Sequence, residues 1–443
     1  MAGQVKTPWG YRHFIVFVLW FLYLVNCFDR ISVLTFLPYI QKDLNLSPVQ
    51  LGWLASIFFF VYAIAQVVAG FLTDRIGPKK TMTIAIWVFT LLTGVIGFVR
   101  TFWQFMWLRV GLALGEGQHW SAALRMLANW FPREEQSRAN GFFISCVTIA
   151  AAVVPIIVTQ LAAILGGWRP VFFVLAVPGV IGIVLLWKYI VDTPKGLLHS
   201  RVKEAEYNLI TSSSSSASGP GASERAGSAS LKIVLTDVHF YFYCVGVFFM
   251  LMLYWGMAAW ISTFLVRQHN LNVKTMGFVA SIPYFTAFIS RNLGGVIADK
   301  WSFGKPKLVS MISFLGCIPA MYMIGRVPKG HMLMLILCLI AGGFFIHLMF
   351  GPMYSYPARR YPKEVVGRAC GISNGFGQLG SFVSPLIAGY LVVTLPDKSY
   401  DFGNVFIFLS LLGVLGILAI AFLKEGYILD SEKYRSQAAA SCK

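Results

Sequence analysis

Charge is scarce in this chain. Asp and Glu number 18 and Lys and Arg 36 in 443 residues, so charged side chains make up 12% of the sequence, about half the share found in an ordinary soluble domain. With 57% of residues hydrophobic and a mean hydropathy of +0.69, the composition excludes a soluble globular enzyme. Cysteine is little used as well. The seven residues at 27, 146, 244, 317, 338, 370 and 442 include no CxxC pair, which removes zinc-ribbon and thioredoxin-like chemistry and leaves apolar packing as their expected role. No HExxH or GxxxxGK[ST] stretch occurs, so metalloprotease and nucleotide-binding signatures are missing, and neither an enzyme nor a cofactor or metal is expected. The N-terminus does not read as a cleaved leader, because its first apolar run is far longer than a signal-peptide core and no small-residue cleavage pattern follows.

What the chain has instead is a succession of apolar runs, each about 20 residues long and therefore able to cross a bilayer as a helix. The first six fall at 14–38, 51–73, 82–100, 102–128, 139–165 and 169–191. Six more follow at 240–266, 275–298, 308–326, 331–357, 369–395 and 402–424. The expected fold is all-α and integral to the membrane, with twelve transmembrane helices in two bundles of six. The formal charge of +18 does not point to nucleic acid, since two thirds of the Lys and Arg lie in the tails and the even-numbered loops. By the positive-inside rule both termini are expected in the cytoplasm.

The longest interior stretch without apolar character is 192–238. Within it "TSSSSSASGPGASERAGSAS" (211–230) is Ser/Gly/Ala-rich and is expected to be a flexible linker between an N-terminal bundle (1–191) and a C-terminal one (239–443). The halves share landmarks. "GFLTDRIGPKK" (70–80) recurs as "GVIADKWSFGKPK" (295–307), an offset of 225. "FPREEQSRANG" (131–141) recurs as "YPKEVVGRACG" (361–371), an offset of 230, and Pro155 and Pro385 keep that second offset. Duplicated six-helix halves are the sequence trace of a secondary transporter built around a midplane site.

The G-x-x-x-D-R/K loops, present in both halves, resemble the loop signature of the major facilitator superfamily, and the resemblance covers essentially the whole chain. Four further features narrow it: "FDR" (28–30), Tyr62 four residues before Gln66, Arg109 seven before Glu116, and "WFPRE" (130–134). Together they are similar to the anion:cation symporter branch, which holds proton-coupled sugar-acid carriers such as galactonate, glucarate and hexuronate permeases, and relatives of sialin. The resemblance implies a multi-pass, monomeric carrier of the bacterial inner membrane that moves a small carboxylate with protons, Asp29 and Glu116 being the proton sites and Tyr62 a substrate contact. One departure stands out. Many branch members follow the span 4 Glu with a small residue, an aromatic-Pro pair and an Asn, whereas this chain reads "EGQHWSAAL" (116–124).

Charges inside spans carry the functional reading, because an ionisable group at the bilayer centre costs roughly 2.5–3.5 kcal/mol even on the mildest scale. "NCFDRISVL" (26–34) places Asp29 and Arg30 in span 1. Arg109 and Glu116 share a face of span 4, with His119 near it. The arginines offer planar, bidentate donors to a carboxylate substrate, and the acids are expected to couple protons. Asp29 and Arg30, being adjacent, point about 100° apart on a helix and need partners elsewhere. Buried ion pairs that only fix packing are the plainer alternative.

In the second half, Arg291 stands eight residues before Asp299, as Gln66 stands eight before Asp74, which marks it either as a cavity residue or as one that snorkels to the headgroups. Asn374 in "GISNGFGQLG" (371–380) is a buried amide in a Gly-rich segment and a candidate substrate contact. His347, Trp255 and Trp260 read as packing. Asp74 with Arg75, and Asp299 with Lys300, are expected to gate at helix ends. An anion exchanger or sodium-coupled carrier would use the same arginines without net proton movement. A sensor lacks any output module in the linker, and no ring of like charges suggests a channel.

Overall fold

Backbone buried in lipid has no water to bond, so each apolar run must satisfy its own N–H and C=O groups as a helix. A computed structural model describes residues 9–197, 200–215, 232–298, 305–361, 363–396, 399–426 and 428. The first half comprises α1 (Tyr11–Leu44), α2 (Pro48–Ile76), α3 (Pro78–Ile96), α4 (Phe102–Trp130), α5 (Arg133–Leu165) and α6 (Trp168–Tyr189). A short helix α7 (Glu204–Ser215) follows. The second half comprises α8 (Val238–Arg267), α9 (Val273–Val296), α10 (Pro306–Arg326), α11 (Met332–Leu348), α12 (Phe350–Arg360), α13 (Lys363–Leu391) and α14 (Gly403–Ala421). Among the described residues the only sheet is a two-stranded antiparallel pair, β1 (Val393–Thr394) and β2 (Tyr400–Asp401), with Val393 opposite Asp401.

Helices α11 and α12 are one span, Met332–Arg360, interrupted at Met349 because Pro352 has no N–H to give the carbonyl of Leu348. Counted so, there are twelve spans, as expected. Nine of them are apolar enough to cross a membrane by composition alone among the described residues. The three that fall short are α4, α9 and α13, which carry Arg109 and Glu116, Arg291, and Asn374 respectively. All three hold polar candidates, whereas α1 stays apolar enough to pass although it carries Asp29 and Arg30. On the outward faces, Phe71, Phe98 and Trp107 are each at least 70% exposed, as side chains bathed in lipid should be.

By mutual contact the chain forms two units. One draws on Met1–Ser32, Val61–Ala151 and Ile164–Gly219, the other on Val33–Phe60, Ala152–Ala163 and Pro220–Lys443. Inside the second unit the beginning of α2 meets α13 at two glycines. A Cβ on Gly389 would stand 2.9 Å from the Pro48 carbonyl and 3.3 Å from Gly52 Cα, so only a hydrogen fits there. Gln41, near the end of α1, donates to the Tyr400 hydroxyl (2.9 Å) and accepts from Arg267 Nε (3.2 Å).

The duplication read from the sequence reappears as geometry. Helices α3 and α10 both open with proline, at Pro78 and Pro306, and their first-turn N–H groups need outside acceptors. In the first half Asp192 Oδ1 accepts from Lys79 N at 2.7 Å while Lys79 Nζ bonds the Trp187 carbonyl at 3.2 Å. In the second, Glu425 Oε1 accepts from Lys307 N at 2.6 Å while Lys307 Nζ bonds the Ala421 carbonyl at 2.5 Å. The chain leaving the sixth helix of each half thus caps the third helix of that half. Pro155 and Pro385 lie inside α5 and α13, the same place in each half.

The loop between the fourth and fifth helices is also tied down twice. Arg12, at the start of α1, bonds Glu135 (2.9 Å) in α5. Asp237, which caps α8, takes two hydrogen bonds from Arg360 (2.5 and 3.0 Å) and one from Tyr361 (2.8 Å). The two ties have opposite polarity. The central stretch, expected to be a flexible linker, begins with structure: α7 runs into its Ser-rich part as far as Ser215, and residues 216–231 lie outside the described residues. Glu206 of α7 accepts from the backbone N–H groups of Tyr11 and Arg12 (both 3.0 Å) and pairs with the Arg12 guanidinium (3.1 Å). It caps α1 from another segment, an anion at a helix N-terminus.

Candidate functional site

In the first unit the buried charges of α1 and α4 meet. Arg30 donates from Nη2 (3.0 Å) and Nε (3.3 Å) to Glu116, and both bonds fall on the same oxygen, Oε2. Its Nη2 also reaches Asn26 Oδ1 at 3.4 Å, one turn earlier on α1. The guanidinium carbon lies 4.5 Å from the centre of the Tyr62 ring on α2, a cation–π distance. Arg30 is 8% exposed and Glu116 0%. Gly117 makes this approach of α2 and α4 possible, since a Cβ there would stand 2.6 Å from Ala65 Cβ.

Spacing places Arg109 and Glu116 on one face of α4 and leaves Asp29 and Arg30 to find partners elsewhere. The structure pairs Arg30 with Glu116 across helices. The reason is rotational: Asp29 projects about 100° from Arg30 and turns toward α3, against Thr93, while Arg30 turns toward α4. Glu116 Oε1 and Asp29 Oδ1 accept no hydrogen bond among the described residues. Arg109 is fully buried about two turns along α4 from Glu116, and its electrostatic neighbours are Glu116 and Arg30. Two acids and two arginines therefore lie buried within one another's electrostatic reach, and their formal charges sum to zero when both acids are ionised.

His119 lies one turn beyond Glu116 on the same face of α4. It is 0% exposed, and neither ring nitrogen has a hydrogen-bond partner among the described residues. Its ring meets Tyr23 of α1 edge-on at 5.6 Å and stacks on Phe89 of α3 at 6.2 Å.

The second unit has its own polar cluster. The Arg291 guanidinium lies 4.3 Å from the Phe350 ring centre and 5.9 Å from that of Tyr254. His347 stacks on Phe350 at 5.7 Å and meets Tyr254 at 5.4 Å and Tyr284 at 6.0 Å. Tyr354 donates to Asn374 Oδ1 at 3.5 Å. Arg291 and Asn374, singled out in sequence, thus belong to one aromatic-walled group. Of the two roles open to Arg291, this position over the Phe350 ring fits the cavity better than the headgroups. Tyr254, Phe350 and Tyr354 were not picked out and His347 was read as packing, since aromatic residues are common in every span and nothing in their spacing marks these four. Trp255 and Trp260 do pack: Trp260 Nε1 bonds the Pro385 carbonyl (3.0 Å), and Trp255 lies 4.4 Å from the Phe59 ring.

Of the gate residues, Asp74 and Arg75 are exposed in the last turn of α2. Asp299 and Lys300 lie outside the described residues. The pentapeptide "GISNG" (371–375) matches the GxSxG pattern of hydrolases but lies within α13, with no strand before it to form a nucleophile elbow. No cluster of metal-ligating side chains occurs among the described residues.

Comparison with known proteins agrees with this architecture. The probable galactarate/D-glucarate transporter GarP of Escherichia coli K12 is 27% identical over 432 residues, covering 93% of this chain and 94% of that protein. The probable sulfoacetate transporter SauU of Cupriavidus necator is 28% identical over 442 residues, covering 97% of each. The crystal structure of a bacterial homologue of the human lysosomal transporter Spinster, inward-facing and unoccupied, superposes with a TM-score of 0.76 at 16% identity, over 95% of this chain and 97% of that one. The sequence profile of the Major Facilitator Superfamily matches residues 19–385 and again 302–440. The twelve spans, the duplicated halves and that match lead to one assignment: the chain belongs to the Major Facilitator Superfamily and is a multi-pass membrane transporter.

Proposed function

We propose that this transporter imports a small organic anion of the sugar-acid class together with a proton, with Arg30 as the carboxylate anchor and Glu116 as the coupling proton site. The observation that carries the reading is the arrangement of Arg30 on Glu116: two donors on Oε2, and Oε1 left without a partner. An incoming carboxylate competes with Glu116 for the same guanidinium. If Glu116 stays ionised, displacing it strands a buried charge, which costs about 3–5 kcal/mol. If Oε1 takes a proton first, Glu116 leaves Arg30 as a neutral acid and that penalty falls away. Anion and proton therefore bind together more readily than either alone, which is symport expressed as charge balance.

Asp29 and Arg109 complete the set, Asp29 as a second proton site and Arg109 as fixed positive charge that offsets the ionised acids. Tyr62 holds the Arg30 guanidinium in plane and faces the substrate. In the second unit Arg291 and Asn374 contribute polar contacts from an aromatic wall, as befits a ligand with apolar C–H faces and several hydroxyls. Alternating access moves the bound pair, with α1 beginning on the cytoplasmic side. Asp74 and Arg75, in the last turn of α2, act in gating together with Asp299 and Lys300. The names of GarP and SauU support an organic-anion cargo.

Uptake into proteoliposomes tests the reading. With an inward proton gradient, galactarate, D-glucarate, D-galactonate and sulfoacetate are offered in turn, and internal pH is followed at the same time. Accumulation of one of them with matching internal acidification is the expected result. Accumulation driven equally well by sodium, or by a counter-anion without acidification, overturns proton coupling.

A further inference from the structure

We propose that His119 is the relay through which the proton of Glu116 travels toward the end of the bundle where α1 begins, with ordered water as the bridging ligand. The proposal rests on the reading of Glu116 as the coupling site. Its own basis is a set of buried polar atoms that the binding scheme leaves unused. His119 has no exposure, and neither Nδ1 nor Nε2 meets a partner among the described residues. A buried polar atom left without a partner destabilises the fold, so these positions call for one. Glu116 Oε1 and Asn26 Nδ2 are orphans too. His119 and Glu116 share a face of α4 at three residues' spacing, a rise of about 4.5 Å.

Helix α1, which carries Asn26, and α4, which carries Glu116 and His119, meet at these residues. Tyr23 of α1 and Phe89 of α3 close on the His119 ring from two sides. One turn along, Asn26 of α1 touches the Arg30 guanidinium that holds Glu116. A buried water makes two to four hydrogen bonds, and one acceptor oxygen, one amide donor and one of the two ring nitrogens supply three. The other titratable groups facing His119 are Tyr23 on α1, and Glu116 with Arg30 beyond it. Cys27 and Cys146 stand behind Tyr23, α3 presents Phe89, and α5 presents Phe143 against Tyr23 at 5.0 Å.

The transfer balances without storing charge on the ring. The O–H of protonated Glu116 gives its proton to the water, and the water passes one to the unprotonated ring nitrogen. The opposite nitrogen then gives its own proton to a second water on the Tyr23 side of the ring. Glu116 is left as the carboxylate paired with Arg30, and the imidazole is neutral in its other tautomer. A residue that only filled space here would be replaced by phenylalanine without loss.

The test uses the full-length transporter in proteoliposomes, with galactarate as the probe, and reads gradient-driven uptake and symmetric-pH counterflow for the wild type, His119→Phe, His119→Gln and Glu116→Gln. The relay predicts that His119→Phe lowers gradient-driven uptake at least about tenfold, the low end of what proton transfer by a positioned side chain contributes, while counterflow stays within about twofold. His119→Gln, which can hold the water but cannot exchange tautomers, behaves like His119→Phe. Unchanged gradient-driven uptake in His119→Phe, with Glu116→Gln inactive, overturns the relay and leaves the coupling reading standing. Equal loss of uptake and counterflow in His119→Phe also overturns it and makes the ring a packing element. Intact gradient-driven uptake in Glu116→Gln removes the coupling reading and the relay together.

Discussion

Arg30 reaches Glu116 with two nitrogens, at 3.0 and 3.3 Å, and spends both on a single oxygen. A bidentate fork would have used both oxygens. On the proposed reading, Oε1, which accepts no hydrogen bond among the described residues, takes the coupling proton. Glu116→Gln mimics the protonated acid and is expected to abolish accumulation under a proton gradient while counterflow of the same anion survives. Normal accumulation in that variant removes Glu116 from the coupling role.

Arg30→Ala leaves Glu116 ionised, buried and unpaired, and is expected to cost about 3–5 kcal/mol of stability at neutral pH. The double variant Arg30→Ala with Glu116→Gln recovers most of that loss but not substrate binding. Thermal unfolding in detergent measures the first effect and anion binding the second. A double variant no more stable than Arg30→Ala shows that the pair adds nothing through charge.

Asp192 and Glu425 cap equivalent helices with equivalent bonds. Each is expected to contribute about 0.5–2 kcal/mol, the range of a helix cap. Since one cap belongs to each unit, the losses from Asp192→Ala and Glu425→Ala should add. Melting curves of the two single variants and the double give the comparison, and marked non-additivity would show that the caps are coupled.

Asp237 lies outside the spans and titrates against the fold. Burial resists its ionisation, but hydrogen bonds from Arg360 and Tyr361 and from the His239 N–H outweigh that and hold its carboxyl below the usual range. A depressed folded value means the stabilisation is complete above the ordinary Asp value of about 3.9 and is lost as pH falls through the folded value. Asp237→Asn is therefore expected to be less stable than the wild type at pH 7, with the gap narrowing in acid below about pH 4. A gap that is constant with pH assigns the effect to geometry alone.

Gly389 and Gly52 bring α13 against the start of α2 with no room for a side chain. Gly389→Val should force this contact apart, slow transport several-fold and raise the reactivity of a cysteine placed at Trp53 toward an impermeant maleimide. Unaltered labelling and transport would show that the contact yields without consequence.

The spans were legible because bilayer thickness imposes a length that apolar runs reveal directly, and the duplicated loops fixed the division into halves. The three weakest spans by hydropathy are still visible as apolar runs of spanning length, although each carries polar residues. Partner choice within the site was less legible. Spacing orders residues along one helix, but the meeting of Arg30 with Glu116 depends on how α1 is rotated against α4, which packing decides. The caps by Asp192, Glu425 and Glu206 escaped for the same reason, since each comes from a distant segment and leaves no local motif. The aromatic group around Arg291 was hidden by abundance, in a chain where 15% of residues are aromatic.

Arg12 with Glu135 and Asp237 with Arg360 do the same job in the two halves with the signs exchanged. A protein made of two similar six-helix halves faces a hazard during biogenesis, because the leading helix of the second half can dock in the berth shaped for that of the first. In that swapped arrangement Asp237 would approach the half that holds Glu135, and Arg12 the half that holds Arg360, so each would lose its partner of opposite charge and meet like charge instead. The reversed polarity penalises the wrong assembly twice, so the duplicated halves remain distinguishable to the folding chain even where their shapes are alike.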